Sequence, residues 1–348
     1  MITVSIVMNT CRDDFPMIGL PNTFIFEPTV KSLNRQTVKD FELVIVDACY
    51  SLKRLKWLEE NAEFPFKYIN AFPNRFLENG LVAISSMKNK GLLYVDGELV
   101  VFMDDCTEYP RKWVERILYW YGKGYWPMSL TYYYEGGRPK VLSKSDRYFE
   151  VLYGREVDKT ENLFKYVKPG EIVRDSRADM VNARGTLNAP SSWFYGGSSA
   201  ELSALLDING IDERFDGSKG LEDADTGIRL EMAGYGDMFI LDKELWHVEH
   251  WHKPISEKIL FYKGPTPKCN YALLQYNQLR NTYRANTSVL SYEDCLWIRD
   301  NICPKCPNLR RCVNEEFKGR FFIECDAFYK WLKLQRAFDL REMRVDVL

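Results

Sequence analysis

The chain lacks any apolar run long enough to cross a bilayer, and its first residues lack the basic-then-apolar order of an export leader; Met1-Ile-Thr-Val-Ser-Ile-Val-Met8 alternates like a strand instead. It also carries almost no net charge, with 47 Lys/Arg against 49 Asp/Glu, which argues against a polyanion-coating protein and against an acidic solvating one. No internal repeat and no low-complexity tract interrupts it, so neither a solenoid nor a long disordered linker is expected. Histidine is scarce: there are three, and His247, His250 and His252 all fall within six positions. Cysteine is not scarce. Nine thiols without an export pattern point to a reducing compartment, and the cytoplasm is the expected location.

What is present describes a sizeable α/β protein. Apolar residues make up 46% of the chain, enough for a large core. The β-branched run from Val4 to Met8, the run Phe41-Glu-Leu-Val-Ile-Val46 and the run Gly97-Glu-Leu-Val-Val-Phe-Met103 predict buried strands. Helical spacing between them, over 28–36 and 81–94, predicts crossover helices and therefore a mostly parallel sheet. Residues 1–254 are expected to form this domain. Within it, 1–114 would bind a nucleotide, 115–190 would be an irregular insertion, and 191–254 would carry the acceptor side. Residues 255–348 are expected to be a helical extension. From Ser256 onward 16 Lys/Arg stand against 11 Asp/Glu, a mild basic tilt.

In such sheets ligands sit beyond the carboxyl ends of the strands. Thr10, Asp47 and the pair Asp104-Asp105 all fall at that position, which argues for one shared crevice. Two carboxylates and a histidine suit Mn²⁺ or Mg²⁺, completed by the phosphate oxygens of a bound nucleotide. Lys88 could add a point charge to the same diphosphate, and Asp47 is placed to accept from a base or ribose. Glu222-Asp223 opens a predicted helix, whose dipole keeps a carboxylate ionised and suits a general base. The chemistry these groups describe is displacement at a sugar carbon: a metal steadies the departing diphosphate and a base takes a proton from an incoming hydroxyl.

Residues 2 to about 254 resemble a family 2 glycosyltransferase of the GT-A fold. The matching pieces are Val4-Ser-Ile-Val-Met-Asn-Thr10, Val44-Ile-Val-Asp47, Met87-Lys-Asn-Lys-Gly91, Gly97 through Asp105, Gly196-Gly197, Ile211-Asp-Glu-Arg-Phe215, and Gly220 through Leu230 followed by Ala233-Gly-Tyr235. The resemblance implies an inverting transferase that takes a nucleotide sugar, UDP-linked, and delivers it to a saccharide or other hydroxyl acceptor. It further implies that Thr10, Arg12 and Asp47 hold the nucleotide, with Lys88 in place of the family's arginine. Asp105 would ligate the cation, with His247 or His250 as a further ligand, and Asp104 would lie nearer the ribose or sugar. Asp223 would be the base and Glu222 would orient it or bind the acceptor. Gly196-Gly197 would allow close approach of a substrate, and Trp193 would either stack on an acceptor sugar or belong to the core. One departure stands out: where the family has Asp-x-Asp, this chain ends in Cys106, either a soft ligand or a thiol that binds nothing.

Outside the resemblance, Cys303-Pro-Lys-Cys306, Cys312 and Cys325 are spaced like a structural Zn²⁺ site or an iron–sulfur knot, with Cys295 as a substitute ligand; free core thiols are the third option. Three other functions remain open on sequence alone. They are transfer to hydroxymethylated bases in DNA, a nucleotidyltransferase, and a non-catalytic sugar-binding module.

Overall fold

Strands form where branched aliphatic runs can be buried on both faces. In the computed structural model, which describes residues 2–14, 25–134, 172–174, 177, 186–249, 255–262, 267–305 and 326–347, this holds for β1 (Val4–Thr10), followed by α1 (Glu27–Asn34), and for β2 (Phe41–Asp47). The two strands pair in parallel with Thr10 opposite Asp47. After α2 (Leu52–Asn61) comes β3 (Phe66–Asn70), parallel to β2. Then α3 (Ile84–Leu92) crosses over to β4 (Leu99–Met103), parallel to β1 on its other side. The order β3-β2-β1-β4 puts the carboxyl ends of four strands on one rim.

Beyond β4 the sheet changes character. The short β5 (Thr107–Glu108) and α4 (Trp113–Tyr121) lead to β6 (Trp126–Tyr134), which is edged by β7 (Ile172–Arg174). β8 (Thr186–Asn188) and β9 (Ser198–Glu201) follow, then α5 (Leu202–Asp207), α6 (Glu222–Leu230) and β10 (Phe239–Glu249). β9 runs antiparallel to β4, while β10 runs parallel to β6, so the ten strands make one mixed sheet. The uninterrupted parallel run thus covers β3-β2-β1-β4, and the rest of the sheet is mixed.

Residues 115–134, the start of the segment expected as an irregular insertion, are regular: most of α4 and all of β6 fall there. α4 buries Trp113, Val114, Ile117 and Trp120, and β6 is an interior strand of the sheet. Its run of tyrosines and Pro127 blur the sequence alternation that usually marks a strand, though aromatic residues favour strands. The rest of the expected insertion lies mostly outside the described residues.

After residue 254 come α7 (Asn270–Arg280), α8 (Tyr292–Asn301), α9 (Asp326–Leu334) and α10 (Leu340–Val345). They do not stand apart. Leu273, Ile298, Phe328 and Trp331 share a buried cluster with Val46, Phe76, Met87 and Phe215. Among the described residues no helix is long and apolar enough to cross a membrane.

Candidate active site

Just before α6 the chain makes two successive left-handed turns, Gly220 at φ 91° and Leu221 at φ 71°. A left-handed leucine is costly, whereas the glycine is not. The turn throws Glu222 and Asp223 at the helix N-terminus towards the carboxyl ends of β1 and β4. A pocket of about 340 Å³ opens there, lined among others by Thr10, Arg12, Lys88, Asp104, Asp105, Glu222, Asp223 and Glu249. Of the residues expected to bind donor or act in catalysis, all but Asp47 therefore reach one cavity.

Lys88 is buried on α3 and forms an ion pair with Asp223, while Glu222 stands 3.7 Å from the same ammonium. Burial works against the charged lysine, but the two carboxylates outweigh it and hold Lys88 above its ordinary value. Burial, followed by the charge of Asp223, raises Glu222. The second residue of the acidic pair is therefore the one held directly against a cation.

Asp105 is enclosed. Thr10 Oγ1 donates to it at 2.7 Å, and Arg12 Nε donates to both of its oxygens at 2.8 and 3.0 Å. Asp104 behaves differently. Water reaches it, yet protein surrounds it so closely that its carboxyl is pushed up to about 7, first by loss of bulk solvent and then by the charge of Glu249, against the opposing effect of Lys88. The backbone of Gly196 lies against the Asp104 carboxylate, where a Cβ would collide with it.

Several expected site residues face elsewhere. Asp47 is fully buried: Cys49 N–H donates to Oδ1 at 2.7 Å, and Arg54 Nη1 and Tyr68 Oη donate to Oδ2 at 2.6 and 2.7 Å. Arg54 also donates to Asp14 and to the Arg12 carbonyl, so Asp47 anchors the loop after β1 rather than lining the pocket. His247 is buried among hydroxyls, Nδ1 at 2.8 Å from Ser129 Oγ and Nε2 at 3.2 Å from Thr131 Oγ1. Gly197, at φ 84°, leaves room for that imidazole. Trp193 packs against the core, and its carbonyl accepts from Arg177 at 2.9 Å. Cys106 is buried in a left-handed conformation, φ 60°, and burial pushes its thiol up.

Glu249, Lys219 and Arg54 were not singled out from the sequence. Glu249 did have a signal: it lies two residues past His247, on the same face of the strand.

Among the described residues no three His, Cys, Asp or Glu side chains are grouped to hold a metal. A Mg²⁺-type cation needs fewer, since one or two carboxylates suffice when phosphate oxygens and water complete its shell. Asp104 and Glu249 fit that lesser requirement, because their mutual repulsion is what a cation would relieve. Asp105, held by Thr10 and Arg12, and His247, held by two hydroxyls, fit it less well. His250 lies outside the described residues, as do Cys306, Cys312 and Cys325. Cys295 and Cys303 are buried in the second cluster, and burial pushes Cys295 up to about 12.

A sheet with its strand ends gathered under an acidic helix N-terminus is the frame of a GT-A transferase. Residues 25–169 match the family described as Glycosyl transferase family 2, and the chain is a glycosyltransferase. Its fold is similar to that of TarS from S. aureus crystallised with UDP-GlcNAc, with TM-score 0.51 and 12% identity over 100% of this chain and 84% of that one. TarS crystallised with UDP gives TM-score 0.47 and 11% identity over 91% and 76%. No curated protein matches the sequence.

Proposed function

We propose that the protein transfers a sugar from a nucleotide-sugar donor, UDP-linked, to a hydroxyl of a glycan or lipid-linked saccharide, with inversion at the anomeric carbon. The observation that carries this reading is the convergence of Arg12, Lys88, Asp104 and Asp223, from four separate stretches of sequence, on one 340 Å³ pocket. The UDP-GlcNAc held by the similarly folded TarS crystal supports the donor class.

Asp223 accepts the proton of the incoming hydroxyl as its oxygen attacks the anomeric carbon from the face opposite the leaving group. The bond to the nucleoside diphosphate breaks on the other face, so an α-linked donor gives a β-linked product. Arg12 and Lys88 bring positive charge to the side of the pocket where the diphosphate gathers charge. Lys88 does so while holding Asp223 in place. A divalent cation, when bound, supplies further neutralisation of that diphosphate. Asp104 and Glu249 are the side chains that would hold it.

Thermal unfolding in the presence of a set of nucleotide sugars, with and without Mn²⁺, tests the reading. A donor that binds the native state raises Tm by mass action, by an amount that grows with its concentration. A flat response to every nucleotide sugar and to UDP would refute it.

A further inference from the structure

The strand ends that frame the pocket also bring two thiols together. Thr10 and Asp47 are partners in register, and Ala48 N–H donates to the Thr10 carbonyl at 2.9 Å. Cys11 therefore follows the last paired residue of β1, and Cys49 follows that of β2 by two. Directly opposed parallel neighbours lie about 4.8 Å apart; Cys11 and Cys49 stand one residue off that register, and a disulfide spans roughly 4.4–6.8 Å between Cα atoms. The turn at Cys49 is set by its N–H donating to Asp47 at 2.7 Å, and Cys11 is pinned by Ser256 N–H donating to its carbonyl at 2.7 Å. Both cysteines are free and partly exposed, and each perturbs the other's thiol.

We propose that Cys11 and Cys49 form a reversible redox-modification site that reacts with small-molecule disulfides and, once closed, weakens donor binding in the adjoining pocket. The second half of this statement rests on the function proposed above. Cys49 is the attacking sulfur. The adjacent Cys11 thiol draws it below the ordinary value, against burial and the charge of Asp47, while Cys11 is held up and keeps its proton. The Cys49 thiolate attacks one sulfur of the small disulfide, forming a mixed disulfide and expelling a thiolate. That thiolate takes the Cys11 proton. The Cys11 sulfur then attacks Cys49 and expels the second small thiolate, which takes up the proton Cys49 first released. Two protein thiols are oxidised to one disulfide, and one small disulfide is reduced to two thiols.

The product touches the site. Cys11 lines the pocket between Thr10 and Arg12, the two residues that hold Asp105. Drawing its sulfur to bonding distance of Cys49 shifts that loop. Losing one hydrogen bond to a charged group costs about tenfold or more in an equilibrium constant, so a loss of donor affinity of about tenfold is expected.

The full chain is incubated with oxidised glutathione, alkylated without reduction and mapped by mass spectrometry. UDP affinity is measured in parallel by thermal shift. The expected result is a Cys11–Cys49 cross-linked peptide that dithiothreitol reverses, with UDP affinity falling and recovering in step. Cys49→Ser and Cys49→Ala are each expected to lose both the cross-link and the response. Recovery of both residues as alkylated thiols, or of a lasting glutathione adduct on either, overturns the proposal. A cross-link with unchanged UDP affinity overturns its link to the donor pocket. The cross-link is read without any donor. Reduced protein that binds no UDP therefore counts against the proposed function, while a cross-link found in the same sample upholds the redox site.

Discussion

Asp104 and Asp223 sit in one pocket and respond to substitution in different ways. The native value of Asp104, about 7, lies above the ordinary 3.8. The folded protein therefore binds this proton more tightly than the unfolded chain does. The stability it contributes is intact below about pH 4 and is lost as pH rises through about 7. Asp104→Asn, which stays neutral, is expected to raise Tm at pH 8 and to leave it nearly unchanged at pH 4. Because water reaches the carboxylate, the gain at pH 8 is discounted to about 1 kcal/mol. Thermal unfolding of both proteins at both pH values checks this; a loss of Tm at pH 8 would show that the charge is welcome where it stands. Asp223→Asn keeps the shape of the site and removes the base. Turnover is expected to fall by at least about a hundredfold while the Tm rise given by donor persists, and full turnover would remove Asp223 from the chemistry. Most site residues were legible because they punctuate strand and helix ends. Asp47 and His247 misled for a physical reason: a strand-end carboxylate and a strand imidazole look alike in sequence whether they face a pocket or a buried hydroxyl.

At the level of elements, α3 shows what the local sequence cannot supply. Its N-cap residue, Ala83, has no side chain able to cap, yet the helix begins cleanly. Asp216 reaches across to do the work, accepting from Ser85 N–H at 2.7 Å and Ser86 N–H at 2.9 Å. Removing it orphans two buried donors. Asp216→Ala is expected to cost about 2–4 kcal/mol in denaturant unfolding, a cap plus the burial penalty of the donors it leaves. Since α3 carries Lys88, donor affinity should fall as well, and a variant with wild-type stability would mean that the cap contributes nothing. The strands β1, β2 and β4 and the helix α6 were readable because burial on one or two faces writes a regular pattern. α2 and β3 were not. α2 buries only Arg54 and Leu58 on a charged helix, and β3 is a half-exposed edge strand, so neither carries an apolar stripe. What fixes them is contact: Arg54 with Asp47, and β3 with β2.

Across the molecule, the boundary expected at residue 254 falls inside a shared core. Asn277 on α7 donates to Asp212 at 3.0 Å and to Asp225 at 2.8 Å, and accepts from Arg214 at 2.9 Å. Asp225 in turn is paired with Arg229 on α6, the helix that presents Asp223. Lys268 donates to the Phe215 carbonyl and lies 5.0 Å from the face of Trp331; burial draws it down to about 7. The C-terminal helices thus hold the acidic helix in place through a buried polar network, in which one missing partner leaves charge exposed to an apolar medium. Asn277→Ala in the full chain is expected to lose about 2–4 kcal/mol of stability, more than its exposed neighbours would suggest. A fragment ending at residue 254 loses the network together with Leu273, Ile298, Phe328 and Trp331, uncovering Phe76, Met87 and Phe215. It is expected to show no cooperative thermal transition and to bind a hydrophobic dye at room temperature. If that fragment instead melts cooperatively at the Tm of the full chain and responds to donor, the helices are an appendage, and α6 needs none of the support that the network supplies.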